Sequence, residues 1–357
     1  METPKQPWLY SLKADSIFIL LPPFLALLAV LLFPNQFKVS AEMPVFYWVI
    51  LIVFIDVAHV YSTLYRTYFN PDSFKRQSGL LIGIPIICYV MGTLLYSFSD
   101  LIFWRLLAYL AVFHFIRQQY GFMRLYSRKE KASSIFRLID KLAIYTATIY
   151  PLLYWHLSGK RNFNWFIEGD FMEYQSDALL TVGRTIYLFI ILLYILKEVF
   201  ALAKHQQFNI PRNLLIAGTY LSWYFGIIHY NADMAFTTLN VVSHGIPYMA
   251  LIWIFEKNKH QHIQPKSKFL KLSFGKYGIA IFLAVLVAFA YFEEGLWDGL
   301  VWREHTGVFQ IFSNLHKVET KQVLALLIPL LSLPQTTHYV LDGFIWKLRK
   351  NGESVAL

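Results

Sequence analysis

The chain has 357 residues, of which 57% are hydrophobic, 18% aromatic and only 15% charged, and its mean hydropathy is +0.45. Soluble globular domains carry roughly 25% charged residues, so the composition excludes that class and predicts a polytopic membrane protein. The net charge of +10 predicts basic loops that face an anionic membrane leaflet and does not require nucleic-acid binding.

Ten apolar runs of roughly 17 to 25 residues are long enough to cross about 30 Å of hydrocarbon as helices. In chain order they cover residues 16–34, 44–65, 79–98, 101–123, 138–157, 180–203, 213–232, 236–255, 275–293 and 322–346. Most of the basic residues fall at alternate connections, such as Lys197 near the end of the sixth run and Lys204 and Arg212 between the sixth and seventh runs, as expected for the cytoplasmic side. The sequence predicts an all-α transmembrane bundle of about ten spans, with both termini cytoplasmic.

No composition break or internal repeat divides the chain, so we expect a single integral-membrane domain over residues 1–357, in the bacterial inner membrane. The only cysteine is Cys88, which excludes an intramolecular disulfide, a thiolate zinc site and a cysteine-ligated iron–sulfur cluster. Any metal in this chain must be held by nitrogen and oxygen.

Four histidines lie inside the apolar runs: His59, His114, His244 and His338. With a rise of about 1.5 Å per residue, the predicted topology places all four in one layer, roughly 10 to 17 Å from the cytoplasmic face. One buried histidine on its own is more often a hydrogen-bonded contact between helices. Four at one depth favour a shared functional site, since ionisable residues in the bilayer are costly.

Each of these histidines has a polar companion one helical turn away on the same face. The pairs are Asp56 with His59, Gln118 with His114, Asn240 with His244, and Asp342 with His338. Metal-bound imidazoles usually donate their second N–H to a carboxylate or carbonyl oxygen. We expect these companions to orient the imidazoles, either directly or through a facing helix, and either aspartate is also a candidate ligand.

Neutral imidazoles suit iron, copper, zinc and nickel, and a histidine-rich site with open positions suits oxygen activation by non-haem iron. A site in the bilayer predicts a lipophilic substrate that enters sideways between helices, among the membrane lipids. Arg117, one turn after His114, is a candidate to hold a carboxylate or phosphate, or else extends to the membrane surface. Packing is the default role of the tyrosines near this layer, but they are also candidates to orient the substrate: Tyr61, Tyr120, Tyr248 and Tyr339.

An all-helical membrane protein with four intramembrane histidines on separate spans resembles the bacterial Brp/Blh-type β-carotene dioxygenases. The resemblance implies one iron held by His59, His114, His244 and His338, and an oxidative reaction with O2. The nearest counterpart of that family's Pro-His-Gly signature is Ser-His-Gly-Ile-Pro at 243–247, so a carotenoid substrate is not carried over. The segments FHFIRQQYGF and TTHYVLDGFIW resemble those of uncharacterised bacterial membrane proteins, which implies a family but no activity.

Two other functions fit the same residues. A b-type cytochrome would use pairs of these histidines to ligate haem, although two stacked haems need two depths. A proton-coupled transporter would pass protons among Asp56, His59, His244 and Asp342 as the bundle moves. Pro329 and Pro334 predict a kink just before His338, which suits either gating or the opening of the helix around a ligand.

Overall fold

The computed structural model describes residues 6–37, 43–205, 208–262 and 267–345. Over these residues the chain is helical and contains no strand. In chain order the longer helices are α1 (Leu12–Leu20), α2 (Pro22–Leu32), α3 (Val45–Arg66), α4 (Pro71–Phe98), α5 (Asp100–Tyr126), α6 (Ser134–Leu157), α7 (Asp177–His205), α8 (Ile210–Trp223, followed by the π-helical Tyr224–His229), α9 (Asp233–His262), α10 (Lys268–Ser273), α11 (Gly278–Trp302), α12 (Lys321–Leu331) and α13 (Leu333–Ile345). Single turns lie at Pro34–Phe37 and Gln310–Phe312.

Several of these helices are long and apolar enough to cross a membrane. Five meet both conditions, namely α3, α4, α7, α9 and α11, and two bent pairs, α1 with α2 and α12 with α13, bring the number to seven if each pair is one span. The predicted integral membrane class is therefore supported. The count of about ten spans stays a prediction, because α5, α6 and α8 are shorter or less apolar. The cytoplasmic placement of the termini also stays a prediction, since residues 1–5 and 346–357 lie outside the described residues.

The chain forms two compact units. The first, called unit 1 below, consists of Met1–Glu42 and Phe115–Pro247, and the second, unit 2, consists of Met43–His114 and Tyr248–Leu357. Each unit combines two separate stretches of sequence, so no break in composition marks the division. The single domain over residues 1–357 stays a prediction.

Helix starts follow from local sequence. The side chain of Asn70 accepts a hydrogen bond from the backbone N–H of Ser73, directly before Pro71 in the first turn of α4. Asn209 does the same for the N–H of Arg212, with Pro211 in the first turn of α8. Asparagine is a favoured N-cap, and proline is tolerated there because the first N–H groups of a helix have no partner within it.

The outward faces of the long helices are apolar. On α4 the exposed side chains include Ile82, Ile86, Ile87, Val90 and Leu94. A soluble helix turns charged residues to the outside and apolar ones to the core. The reverse distribution on α4 is expected of a helix whose surroundings are hydrocarbon.

Two of the departures from regular α-helix in unit 2 lie shortly before a predicted histidine. Within α3, residues Val49–Val57 are π-helical and lead directly into the α-helical turn that carries His59. Between α12 and α13 the axis bends by 43° at Ser332, with Pro329 three residues before the break and Pro334 two after it. Proline removes a backbone hydrogen bond and clashes with the preceding turn. The predicted kink before His338 is confirmed.

Unit 1 buries a charged network. The Lys197 ammonium lies 2.6 Å from Asp140 Oδ1, and the Arg212 guanidinium lies 2.6 Å from Glu130 Oε2 and 3.3 Å from Asp140 Oδ2. Both cations also pair with Glu198. The charge pattern predicts Lys197 and Arg212 as basic residues of the cytoplasmic side, and the structure buries both of them in this network.

Candidate metal centre

Three of the four predicted histidines lie together in unit 2. His59 projects from α3, His114 from α5 and His338 from α13, and their residues are only 1%, 2% and 2% exposed. Their candidate ligand nitrogens all lie within 4.8 Å of one another. The ring centroid of His338 lies 4.5 Å from that of His114 and 5.1 Å from that of His59. Three imidazoles from three helices therefore converge on one point.

One contact in this cluster joins His338 Nε2 to His114 Nε2, at 3.1 Å. The Nδ1 atom of each ring faces a different polar group. His338 Nδ1 lies 2.7 Å from Thr63 Oγ1, and His114 Nδ1 lies 3.5 Å from Asp342 Oδ2. Each of these two imidazoles thus has a polar neighbour at Nδ1, while the two Nε2 atoms face each other.

A chain of hydrogen bonds fixes which nitrogen of His338 carries its proton. The Tyr248 hydroxyl donates to Asp342 Oδ1 (2.6 Å), so its oxygen is left to accept from Thr63, whose Oγ1 lies 3.2 Å away. The Thr63 oxygen then accepts from the Nδ1–H of His338. These hydrogen-bond directions make His338 the Nδ1–H tautomer, which leaves a lone pair on its Nε2.

The Asp342 carboxylate lies beside the Nδ1 of His114, as the Thr63 hydroxyl lies beside the Nδ1 of His338. A carboxylate can only accept hydrogen bonds, so its proximity favours the Nδ1–H tautomer of His114 and a lone pair on Nε2. Two lone pairs at 3.1 Å repel each other unless a cation lies between them. Two nitrogens bound to one metal at about 2.0 to 2.1 Å, with a ligand angle near 90 to 110°, are roughly 2.9 to 3.4 Å apart. The observed separation fits that geometry.

His59 completes the cluster. Its Nδ1 lies 3.8 Å from Asp56 Oδ1, one turn earlier in the same helix. The Asp56 side chain is 36% exposed, whereas that of His59 is buried. The pairing of Asp56 with His59 predicted from the sequence is present, at a distance too long for a direct hydrogen bond.

His244, the fourth predicted ligand, belongs to unit 1. Its ring stacks on that of Phe115, with centroids 3.4 Å apart and planes inclined by 6°. Its backbone carbonyl accepts a hydrogen bond from the Gln118 side chain at 3.0 Å. The cluster consists of three residues of unit 2, and the role of His244 as a ligand stays a prediction.

The predicted companions have other neighbours than those expected. The Asp342 carboxylate lies against His114, on a facing helix, and is connected to His338 through Tyr248 and Thr63. Gln118 is expected beside the His114 imidazole and bonds to the carbonyl of His244, while Asn240 donates to the carbonyl of Phe236 in its own helix. One helical turn of spacing places two residues on one face, but it does not say which neighbouring helix that face meets.

The predicted substrate-binding pair lies in unit 1. Arg117 is exposed and donates to the hydroxyl of Tyr145 at 2.5 Å. Its guanidinium also lies 5.0 Å from the centre of the Tyr120 ring. The catalytic roles of Arg117 and Tyr120 stay predictions.

Two residues that orient the imidazoles are not assigned that role by the sequence pattern. Thr63 has no predicted role, and Tyr248 is predicted only as a packing or substrate-orienting residue. Thr63 is one helical turn after His59, and Tyr248 is one turn after His244. That spacing is the available signal, but hydroxyl residues one turn from a histidine are common in a chain with 23 tyrosines.

Comparison with known proteins assigns no function to this cluster. The resemblance to the Brp/Blh-type dioxygenases rests on architecture and the number of histidines, and it stays an expectation. No family model matches the chain, and neither a curated protein nor a solved structure matches it.

Proposed function

We propose that this membrane protein binds one transition-metal ion, most simply iron, through His59, His114 and His338, and acts oxidatively on a lipid-soluble substrate. The observation that carries the proposal is the 3.1 Å separation of the Nε2 atoms of His114 and His338. Each of these rings has a polar side chain close to its Nδ1. Metal-binding histidines commonly have such support behind the ring.

Three protein ligands are characteristic of catalytic metal sites, which keep a coordination position open, whereas closed structural sites use four. A nitrogen-only ligand set suits iron, copper and zinc, and of these iron and copper supply redox chemistry. The residues of this chain would hold the imidazoles in one tautomer through Thr63, Tyr248 and Asp342. The apolar surroundings favour a substrate dissolved in the membrane.

The haem alternative fits this geometry poorly. Two imidazoles on opposite sides of a haem iron have nitrogens about 4 Å apart, twice the metal–imidazole distance. His114 and His338 are closer than that, and no space for a porphyrin separates their Nε2 atoms. A shared proton between the two rings, as in a proton-coupled transporter, fits the 3.1 Å distance and is the alternative that experiment must separate from a metal.

Metal analysis of the full chain distinguishes these functions. The protein would be purified anaerobically in mild detergent and its transition metals counted by plasma mass spectrometry. We expect about one ion per chain, the number that a single three-histidine site holds. If no metal is found even after incubation with Fe(II), Cu(II) or Zn(II), the metal proposal is wrong and the shared proton becomes the better account.

Asp342→Asn is expected to weaken metal binding about 10- to 100-fold, the usual cost of losing a group that supports a metal-bound imidazole. The amide is a weaker acceptor than the carboxylate for both His114 and Tyr248, so the Nδ1–H tautomer of His114 loses its preference. Affinity would be measured by competition with a coloured chelator. Asp233→Asn is the control, because that carboxylate accepts from Thr237 in unit 1. Equal affinities for Asp342→Asn and the unaltered protein would contradict the assigned tautomer.

A further inference from the structure

An apolar groove of about 360 Å³ lies beside His338 in unit 2, between α3, α4, α12 and α13. Most of its wall is hydrocarbon, contributed by Val60, Leu64, Pro85, Leu330, Leu333 and Leu341. Small-molecule pockets have volumes of roughly 300 to 1,000 Å³. The groove is therefore large enough for one small apolar molecule or part of a longer one.

The polar part of the wall lies at the metal centre. Thr63, Thr337 and His338 all line the groove. Thr63 already bonds to His338 and Tyr248. The groove thus joins a hydrocarbon surface directly to one ligand of the proposed metal.

Thr337 is the exception among the hydroxyls of this wall. The residue is only 8% exposed, and its Oγ1 has no hydrogen-bond partner among the described residues. The hydroxyls of Tyr61 and Tyr68 are occupied, by Glu293 and by the carbonyl of Leu81. A buried hydroxyl without a partner is costly, and in a helix it can normally bond to the carbonyl one turn back.

The neighbouring residue shows that this local alternative is available. Thr336 Oγ1 donates to the carbonyl of Ser332 at 2.8 Å. Thr337 is in the same helix, lines the groove and makes no such bond, and its Oγ1 is closed to solvent in this rotamer. The hydroxyl therefore loses no hydrogen bond if rotation about the Cα–Cβ bond turns it toward a molecule in the groove.

We infer that the groove binds an apolar molecule carrying one hydroxyl or carbonyl oxygen, with that oxygen hydrogen-bonded to Thr337. The hydrocarbon part lies along Val60, Leu64 and Leu330. Since Thr337 immediately precedes His338, the oxygen-bearing end lies next to the metal centre. This names the substrate class of the function proposed above and rests on that function for its chemistry, although binding to the groove does not require a metal.

Photolabelling tests the groove directly. Full-length protein in mild detergent would be irradiated with a diazirine-bearing dodecanol or with the same chain lacking the hydroxyl, and the labelled peptides identified by mass spectrometry. We expect the alcohol to label the segments containing Val60 to Tyr68 and Leu330 to Leu341 about fivefold more than the hydrocarbon, the effect of one net buried hydrogen bond. Excess unmodified dodecanol should suppress that labelling.

Two isosteric substitutions separate a hydrogen bond from a general effect on α13. Thr337→Val should reduce labelling by the alcohol to the level of the hydrocarbon, while Thr336→Val should leave it unchanged. Leu330→Trp, which fills the groove, should abolish labelling by both probes. The inference would be overturned if both probes label the groove equally and Thr337→Val does not change that labelling. It would also be overturned if the label is spread evenly over the outward face of α4.

Metal content measured on the same samples keeps the two proposals distinguishable. Thr337 is not a proposed ligand, so the Thr337→Val protein should retain its metal while losing the preference for the alcohol. If the unaltered protein contains no metal but labels as expected, the metal proposal fails and the groove stands. If metal is present and the alcohol labels the groove no more than the hydrocarbon does, the groove inference fails and the metal centre stands.

Discussion

His338→Ala is expected to reduce the bound metal from about one ion per chain to nearly none, because two imidazoles are too few for the usual three or four protein ligands. Of the three clustered histidines, His338 is the one that contacts another ring through Nε2 and Thr63 through Nδ1. Its loss removes a ligand and also releases the hydroxyl network that orients the cluster. Plasma mass spectrometry of membrane-inserted, monodisperse protein gives the measurement.

The matched control is His156→Ala. His156 is a half-buried histidine of unit 1, and its Nδ1 bonds to the carbonyl of Leu152 in its own helix at 2.7 Å. This variant should retain the metal. His244→Ala, measured alongside, tests the fourth predicted ligand. An unchanged metal content in His338→Ala would exclude His338 as a ligand and with it the proposed centre.

Arg212→Met is expected to destabilise the protein by about 3 to 5 kcal/mol, the usual cost of removing one member of a buried ion network. The guanidinium contacts Glu130, Asp140 and Glu198, and methionine would leave these three carboxylates with Lys197 as the remaining buried cation of the network. At about 2 to 4 °C per kcal/mol, the unfolding midpoint should fall by roughly 10 °C. The measurement is a thermal scan in detergent at one fixed rate, since unfolding of membrane proteins is often irreversible.

Two variants make that result specific. Arg212→Lys retains the positive charge but loses the forked geometry that allows one side chain to meet several carboxylates, so its midpoint should lie between those of Arg212→Met and the unaltered protein. Lys160→Met removes an ion pair with Glu168 in which both side chains are mostly exposed, and its midpoint should not change. If Arg212→Met unfolds at the same temperature as Lys160→Met, the buried network does not stabilise the fold.

The class and the positions of the helices could be predicted from the sequence because apolar runs of membrane length rarely occur outside membrane helices. The proximity of His59, His114 and His338 could also be predicted, because the predicted topology gives these residues one depth. The membership of His244 in the same site stays a prediction. The rotation of each helix about its axis is not encoded in hydropathy. For that reason the pattern pairs Asp342 with His338 although its carboxylate contacts His114, and it does not single out Thr63 among the many hydroxyl residues.

Charge patterning is informative on average and wrong for particular residues. Lys197 and Arg212 lie near predicted helix ends, where basic residues normally face water, and the structure buries both. Lys197 is adjacent in sequence to one of its partners, Glu198. The other ion pairs of the network join residues that are distant in sequence. A buried ion pair between helices leaves no periodic signal, so only the packed structure could reveal it.

The π-helical stretch Val49–Val57 affects how the centre tolerates changes in chain length. Each wide turn of a π-helix holds more residues than an α-helical turn, because its hydrogen bonds span five residues instead of four. A one-residue deletion within Val49–Val57 can be absorbed by a return to α-helical geometry, with His59 kept on its face of α3. The same deletion between His59 and Thr63 would rotate one of these residues by about 100° relative to the other. We therefore expect the cluster to tolerate a one-residue deletion within Val49–Val57 better than one between His59 and Thr63.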